Sequence, residues 1–112
     1  MATFQIENRG MWLNSFNLNG KKLPNICAEN SVSHFAAILG FTPEFDVDYA
    51  LTSEQEKLIL AYADFRRSMH GLSYREDKNK GDFYHEKSYE NYVFRMYTKD
   101  SSTDFQGFQI LA

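Results

Sequence analysis

The chain has 112 residues, 43% of them apolar, and a formal net charge of −3. This length allows one domain over residues 1–112 around one hydrophobic core, and the apolar fraction is too high for a disordered chain. The negative net charge argues against a protein that binds polyanions over its whole surface, although residues 66–99 alone carry +3.

Three features bear on the cellular compartment. The lone Cys27 cannot form an internal disulfide. The first ten residues lack the charged start and apolar run of a signal peptide. No apolar run approaches the length of about 18 residues that a membrane-spanning helix needs. We therefore expect a cytoplasmic protein that makes no contact with a membrane.

The first quarter of the chain predicts strands. Residues 3–7 alternate between apolar and polar side chains, and residues 12–18 do so in part. Asn19-Gly20 is the strongest short signal for a hairpin turn. Residues 21–26 would return from that turn as a strand, which Pro24 confines to a sheet edge or ends early because proline cannot donate to the ladder.

A short helix is predicted next. Asn30 or Ser31 can cap its start, and Gly40 can end it by adopting a left-handed backbone conformation. His34 lies just off the apolar face of this helix. We expect a structural histidine there, which either faces solvent or makes a single hydrogen bond.

A longer helix is predicted over residues 52–71, where Ser53 and Glu56 fit a capping box and Gly71 can end the helix. An apolar stripe at helical spacing predicts a surface that faces the core rather than a cofactor site. The stripe comprises Leu58, Ala61, Tyr62, Phe65 and Met69, with Ile59 and Ala63 off its centre.

The remaining segments complete the fold class. Residues 45–51 alternate apolar side chains with aspartates, which predicts a half-buried edge strand or an extended connection with its carboxylates in water. Residues 72–90 are the least structured stretch, with at most a strand extension near 83–88. Residues 92–97 and 105–111 predict a C-terminal antiparallel hairpin, in which Gly107 marks a bulge or a close backbone approach. The prediction is an α+β fold: an antiparallel sheet of about 4–6 strands with two helices packed on one face.

Acidic residues are concentrated between residues 44 and 56. The E-x-D-x-D pattern on an extended segment would point three carboxylates to one side. Three interpretations remain open: a solvated face with helix-start charges, an electronegative patch that meets a basic partner, and a divalent metal site, which lacks the spacing of a calcium loop. The candidate partner-binding residues are Glu44, Asp46, Asp48, Glu54 and Glu56.

Basic and aromatic residues alternate further on, as a surface that binds phosphates and stacks bases would require. Five acidic residues within residues 66–99 are mixed in and weaken the field. The alternatives are a mixed-charge loop, a nucleic-acid surface, and a hydrolytic site built on His85 with a neighbouring Tyr84, Arg75 or His70. The candidate residues are Arg66, Arg67, His70, Tyr74, Arg75, Lys78, Lys80, Tyr84, His85, Lys87 and Tyr89.

No phosphate-binding loop, dinucleotide fingerprint, nucleophile elbow, zinc-protease motif or C-x-x-C pair is present, so we predict no catalytic residue, cofactor or metal site. Our first hypothesis is a non-enzymatic module that binds and inhibits another protein or a ribonucleoprotein complex through its acidic, aromatic-rich surface. Phage anti-defence proteins of the anti-CRISPR type are an analogy of size and style only. The alternative is a nucleic-acid-binding module or small ribonuclease that uses residues 66–89. A homodimer through an exposed strand edge stays open.

Overall fold

The computed structural model describes residues 2–8, 14–23, 31–68, 75–77, 82–98 and 105–111. The chain divides into two compact units, Met1–Arg66 and Arg67–Ala112, and each is described by itself below. The single domain over residues 1–112 therefore stays a prediction.

The first unit contains a four-stranded sheet. Its strands are β1 (Thr3–Asn8), β2 (Asn14–Leu18), β3 (Lys21–Lys22) and β4 (Tyr49–Ala50), in the order β3-β2-β1-β4 with antiparallel neighbours.

The predicted turn joins β2 to β3. Asn19 and Gly20 have φ angles of +54° and +78°, as a two-residue turn with two left-handed positions requires. Asn19 also exchanges hydrogen bonds with Thr3: its N–H donates to the Thr3 carbonyl at 2.9 Å, and its Oδ1 accepts from the Thr3 N–H at 3.0 Å. The turn is therefore tied to β1 as well.

Two helices cover one face of this sheet, α1 (Ser31–Leu39) and α2 (Ser53–Ser68). Phe35 on α1 packs its ring centroid 4.9 Å from Phe4, 4.8 Å from Phe16 and 4.9 Å from Tyr62 on α2. All four side chains are fully buried, so this aromatic cluster is the centre of the core. Gly40 ends α1 as predicted, with a φ of +87° and its N–H donating to the Ala36 carbonyl at 2.9 Å.

The start of α2 is capped by a different pair from the one predicted. Thr52 Oγ1 accepts from the Gln55 N–H at 3.1 Å, and Gln55 Oε1 accepts from the Thr52 N–H at 2.9 Å. The capping box is therefore Thr52 and Gln55, one residue before Ser53 and Glu56. The pair of Thr52 and Gln55 and the pair of Ser53 and Glu56 both fit the sequence pattern of a capping box. The Gln55 side chain also donates to the Leu39 carbonyl at 3.1 Å, which links the start of α2 to α1.

The buried face of α2 is centred differently from the predicted stripe. Ile59 and Ala63, which we placed off its centre, are buried, whereas Leu58 is only half-buried. Met69 and Gly71 lie outside the described residues, as do Pro24, Cys27 and His70.

The second unit contains an antiparallel meander of four strands. Its strands are β5 (Arg75–Asp77), β6 (Asp82–Tyr89), β7 (Tyr92–Thr98) and β8 (Phe105–Leu111), paired in chain order. The predicted hairpin of β7 and β8 is confirmed, and so is the bulge, because the register shifts where Tyr97 faces Gly107.

Within residues 72–90, the strand extension expected near 83–88 is confirmed as part of β6, which is longer than expected and runs for eight residues. Its cross-strand partners explain why hydropathy gives only a weak signal for it. Glu86 faces Arg95 and Tyr84 faces Tyr97, so polar side chains supply pairing contacts that an apolar alternation does not record.

The fold class is confirmed as α+β, with two helices on one face of an antiparallel sheet. The described strands form two four-stranded sheets, whereas we predicted a single sheet. No helix among the described residues is both long and apolar enough to cross a membrane.

Candidate functional site

The segment between the two helices forms an anchored loop, residues 41–49, which we call the 41–49 loop. At its base the Tyr49 ring lies 5.2 Å from the Phe41 ring, and the Tyr49 hydroxyl accepts from the Glu44 N–H at 2.9 Å. Further along, the Asp46 N–H donates to the Ile6 carbonyl at 2.8 Å. These contacts tie both ends and the middle of the loop to the rest of the first unit.

The 41–49 loop exposes apolar side chains together with carboxylates. Phe41, Phe45 and Val47 are 44%, 43% and 36% exposed. Glu44, Asp46 and Asp48, which alternate along the chain with Phe45 and Val47, are exposed as well. Single exposed apolar residues are ordinary, as Leu60 on α2 illustrates, but three exposed apolar residues within seven positions of one loop make this loop a candidate binding surface.

The backbone at Asp46 explains why the prediction for this segment was incomplete. Asp46 has a φ of +61°, a left-handed conformation that aspartate tolerates better than most residues. This residue interrupts the extended segment after Phe45 forms a parallel bridge with Ile6, and pairing resumes at Tyr49 and Ala50. The alternation that would place Phe45 and Val47 on a half-buried face is therefore broken, and both are exposed.

The five predicted partner-binding carboxylates divide between two elements. Glu44, Asp46 and Asp48 lie on the loop, while Glu54 and Glu56 lie in the first turn of α2, where negative charge complements the helix dipole. Within the described residues, no three histidine, cysteine or carboxylate side chains converge to hold a metal ion. Of the five carboxylates, the three on the loop are the ones that alternate with the exposed Phe45 and Val47.

A polar cleft lies on the sheet face opposite the aromatic core. Its volume is about 390 Å³. Its floor carries a row of hydrogen-bonding side chains, since Ser15 Oγ donates to Asn17 Oδ1 at 3.3 Å and Asn17 Nδ2 donates to Gln5 Oε1 at 3.5 Å. The lining residues are Thr3, Phe4, Gln5, Glu7, Ser15, Asn17, Gly20, Lys22 and Asp48. Asp48 thus belongs to both the 41–49 loop and the cleft.

A buried polar network connects the two helices of the first unit. His34 Nδ1 and the Tyr62 hydroxyl are 2.8 Å apart, and that hydroxyl lies 3.4 Å from Ser31 Oγ. Burial, and then the nearby positive charge of Arg66, lower the pKa of His34 to about 4. Burial raises the pKa of Tyr62, which Arg66 and the hydrogen bonds oppose. Both groups are neutral at pH 7, so His34 is the hydrogen-bonded structural histidine and not the solvent-facing one.

The basic and aromatic candidates do not share one surface. Tyr84 and His85 are neighbours on β6 and project from opposite faces, because side chains alternate along a strand. Lys87 lies on the His85 face, where His85 is buried and the Lys87 ammonium donates to Ser68 Oγ at 3.0 Å. The hydrolytic pair of Tyr84 and His85 is therefore not formed.

The other members of that set are placed as follows. Arg66 on α2 is half-buried and Arg67 exposed. Arg75 is on β5, where its backbone pairs with Tyr84. Tyr74, Lys78 and Lys80 lie outside the described residues.

Arg95, which is not one of the predicted arginines, lies on the same sheet face as Tyr84. The Arg95 guanidinium lies 4.7 Å from the centre of the Tyr84 ring, and the Tyr97 ring lies 5.4 Å from Tyr84. Arg95 also forms an ion pair with Glu86. That ion pair, together with Tyr97, raises the pKa of Arg95 above its usual range. Arg95 and Tyr97 are not among the predicted residues, because the candidate set ends at residue 89 and the pairing of β6 with β7 is known only from the structure.

Comparisons of this chain with protein-family models, curated proteins and solved structures find no match.

Proposed function

We propose that this protein is a non-enzymatic protein-binding module whose 41–49 loop docks on a basic surface of another protein. The observation that supports this most is the combination on one anchored loop of three exposed apolar side chains with three exposed carboxylates. The lone Cys27 allows no internal disulfide, which is compatible with action in the cytoplasm, where we propose that the protein works.

The two kinds of side chain have different roles in this proposal. Phe41, Phe45 and Val47 would lose water contact on docking, and buried aromatic anchors supply much of the free energy of association. The carboxylates would select a positively charged partner and speed the encounter. Because Tyr49 and the hydrogen bond from Asp46 to Ile6 already fix the loop, little conformational entropy would be lost on binding.

The partner that fits these apolar side chains and carboxylates is a protein or ribonucleoprotein with a basic, partly apolar groove. A groove that ordinarily holds a nucleic acid fits that description, since its lysines and arginines face phosphates. Occupying it would block the nucleic acid, so we propose inhibition as the consequence of binding.

Affinity capture with matched variants tests this proposal. The tagged protein is used as bait in cells of its source, and recovered proteins are quantified by mass spectrometry. The recovery of a true partner should fall about tenfold or more with Phe45→Ser, because this substitution removes an exposed aromatic anchor. Its recovery should be unchanged with Leu60→Ser, which removes an exposed apolar side chain of α2. Equal recovery with both baits would reject the loop as the binding surface.

A second candidate function has one observation in its favour. The Tyr84, Arg95 and Tyr97 side chains form a cluster on one sheet face, and aromatic rings with arginine are used to stack single-stranded bases. The ion pair with Glu86 offsets the Arg95 charge, so we place this nucleic-acid-binding function second. Gel shifts with single-stranded and duplex RNA and DNA across a salt series test it, and no binding at low salt would exclude it.

A further inference from the structure

The polar cleft of the first unit has its charges arranged in a definite order. Lys22 on β3 faces Asn17 on β2, and Asn17 faces Gln5 on β1. Asp48 lies in the part of the 41–49 loop that passes beside β1, between the Ile6 bridge and the Phe4 pairing with Tyr49. A positive charge therefore stands at one end of the row, a negative charge at the other, and two amide side chains between them.

The middle of the row is suited to amide groups. The Gln5 and Asn17 side chains each have a carbonyl acceptor and an NH₂ donor, which is the pairing that a peptide bond requires. Ser15 is almost completely buried at the cleft floor and its hydroxyl orients Asn17. The floor is thus a built, hydrogen-bonded surface on the rigid part of the sheet.

The distance between the charged ends limits the size of the ligand. Adjacent strands lie about 4.8 Å apart, so the three spacings from β3 to the loop amount to roughly 14 Å at the backbone. A peptide extends by about 3.3–3.6 Å per residue. With a hydrogen-bond length of about 3 Å added at each end, two or three residues span the row, whereas one amino acid is too short.

We propose that this cleft binds a short zwitterionic peptide of two or three residues, with its carboxylate at Lys22, its ammonium at Asp48 and Glu7, and its peptide groups on Gln5 and Asn17. The volume of about 390 Å³ lies in the range of small-ligand sites. The cleft overlaps the 41–49 loop at Asp48, whereas Phe41, Phe45 and Val47 are not among the residues that line it.

The test is a titration of the ¹⁵N-labelled full chain with trialanine, followed in proton–nitrogen correlation spectra. The side-chain NH₂ signals of Gln5 and Asn17 report directly on the floor of the cleft. We expect these signals to shift in a saturable way. N-acetyl-trialanine, which lacks the ammonium, and trialanine amide, which lacks the carboxylate, should bind about fivefold more weakly, which is the upper end of the effect of losing one exposed ion pair.

Matched variants separate this site from its surroundings. Lys22→Gln and Asp48→Asn should each weaken trialanine binding about fivefold. Lys21→Gln, on the same strand but not lining the cleft, and Glu44→Gln, on the same loop but not lining it, should change binding by less than about twofold. Because Lys22 is not part of the 41–49 loop, the Lys22→Gln result does not depend on the proposed protein-binding function. No shift of the Gln5 and Asn17 signals with trialanine, or equal binding by both pairs of variants, would overturn the proposal.

Discussion

The two units of the chain bury their aromatic residues in different ways. In the first unit, Phe35 of α1 meets Phe4, Phe16 and Tyr62 from three other elements. In the second unit, the described ring contacts run along and between adjacent strands of one meander, as those of Phe94 with its neighbours do. A core that joins distant elements depends on each shared side chain, whereas a meander distributes its contacts over many neighbouring pairs. Substitutions in the two units should therefore differ in size.

Phe35→Ala should have the largest effect. It removes a fully buried ring with three aromatic neighbours, so the free energy of unfolding should fall by about 3–5 kcal/mol. Urea unfolding followed by tyrosine and tryptophan fluorescence measures this. Leu60→Ala, at a position that is 49% exposed, is the control and should cost under about 1 kcal/mol. A similar cost for both variants would refute the assigned core.

The His34 network should make the stability of the first unit depend on pH. The pKa of His34 is about 4 in the folded chain and 6.5 ordinarily. As pH falls from 6.5 to 4, the unfolded chain takes up a proton that the folded chain does not, so the free energy of unfolding falls. The full loss is about 3 kcal/mol, and it is absent above pH 6.5.

His34→Gln is the matched control for this effect. Glutamine retains hydrogen-bonding groups and does not titrate, so subtracting its unfolding curve removes the contribution of the carboxylates. The difference between wild type and variant should decrease steadily between pH 6.5 and 4. A difference that stays constant over this range would mean that His34 titrates alike in both states.

The cap of α2 should show a smaller and sharply local effect. Thr52→Ala removes the hydroxyl that accepts from the Gln55 N–H and should cost about 1 kcal/mol. Ser53→Ala, one residue on, should be nearly neutral. Thermal unfolding of the two variants side by side compares them. The opposite ranking would restore the cap that the sequence first indicated.

The Arg95–Glu86 pair of the second unit should have the smallest effect. The Arg95 side chain is 30% exposed and that of Glu86 15%, so solvent screens part of their attraction. A double-mutant cycle with Arg95→Gln and Glu86→Gln should give a coupling free energy under about 1 kcal/mol. A coupling of several kcal/mol would show that the meander, too, depends on single contacts.

Local signals predicted the first unit well. Asn19-Gly20 and Gly40 fixed a turn and a helix end, because each needs a left-handed backbone that few other residues adopt without strain. The cap was displaced by one residue, since two overlapping capping patterns are present in the sequence and the contact of Gln55 with the Leu39 carbonyl, which ties the cap to α1, is between residues far apart in the chain.

The candidate site was harder to predict than the fold. The acidic residues of the 41–49 loop are visible in the sequence, but the exposure of Phe45 and Val47 depends on the left-handed Asp46 and on the bridge to Ile6. The polar cleft was not foreseen either. It requires the register that aligns Lys22, Asn17 and Gln5 across three strands, and register depends on contacts between distant residues.

The most direct measurement of the central claim is photo-crosslinking from within the loop. A photoreactive phenylalanine analogue is placed at Phe45 in one bait and at Leu60 in another, and both are irradiated in cells of the source. We predict that a protein with a basic surface is crosslinked from position 45, and that Asp46→Asn with Glu44→Gln reduces its yield severalfold. Crosslinking of the same proteins from both positions, or none from position 45, would contradict the loop as a binding surface.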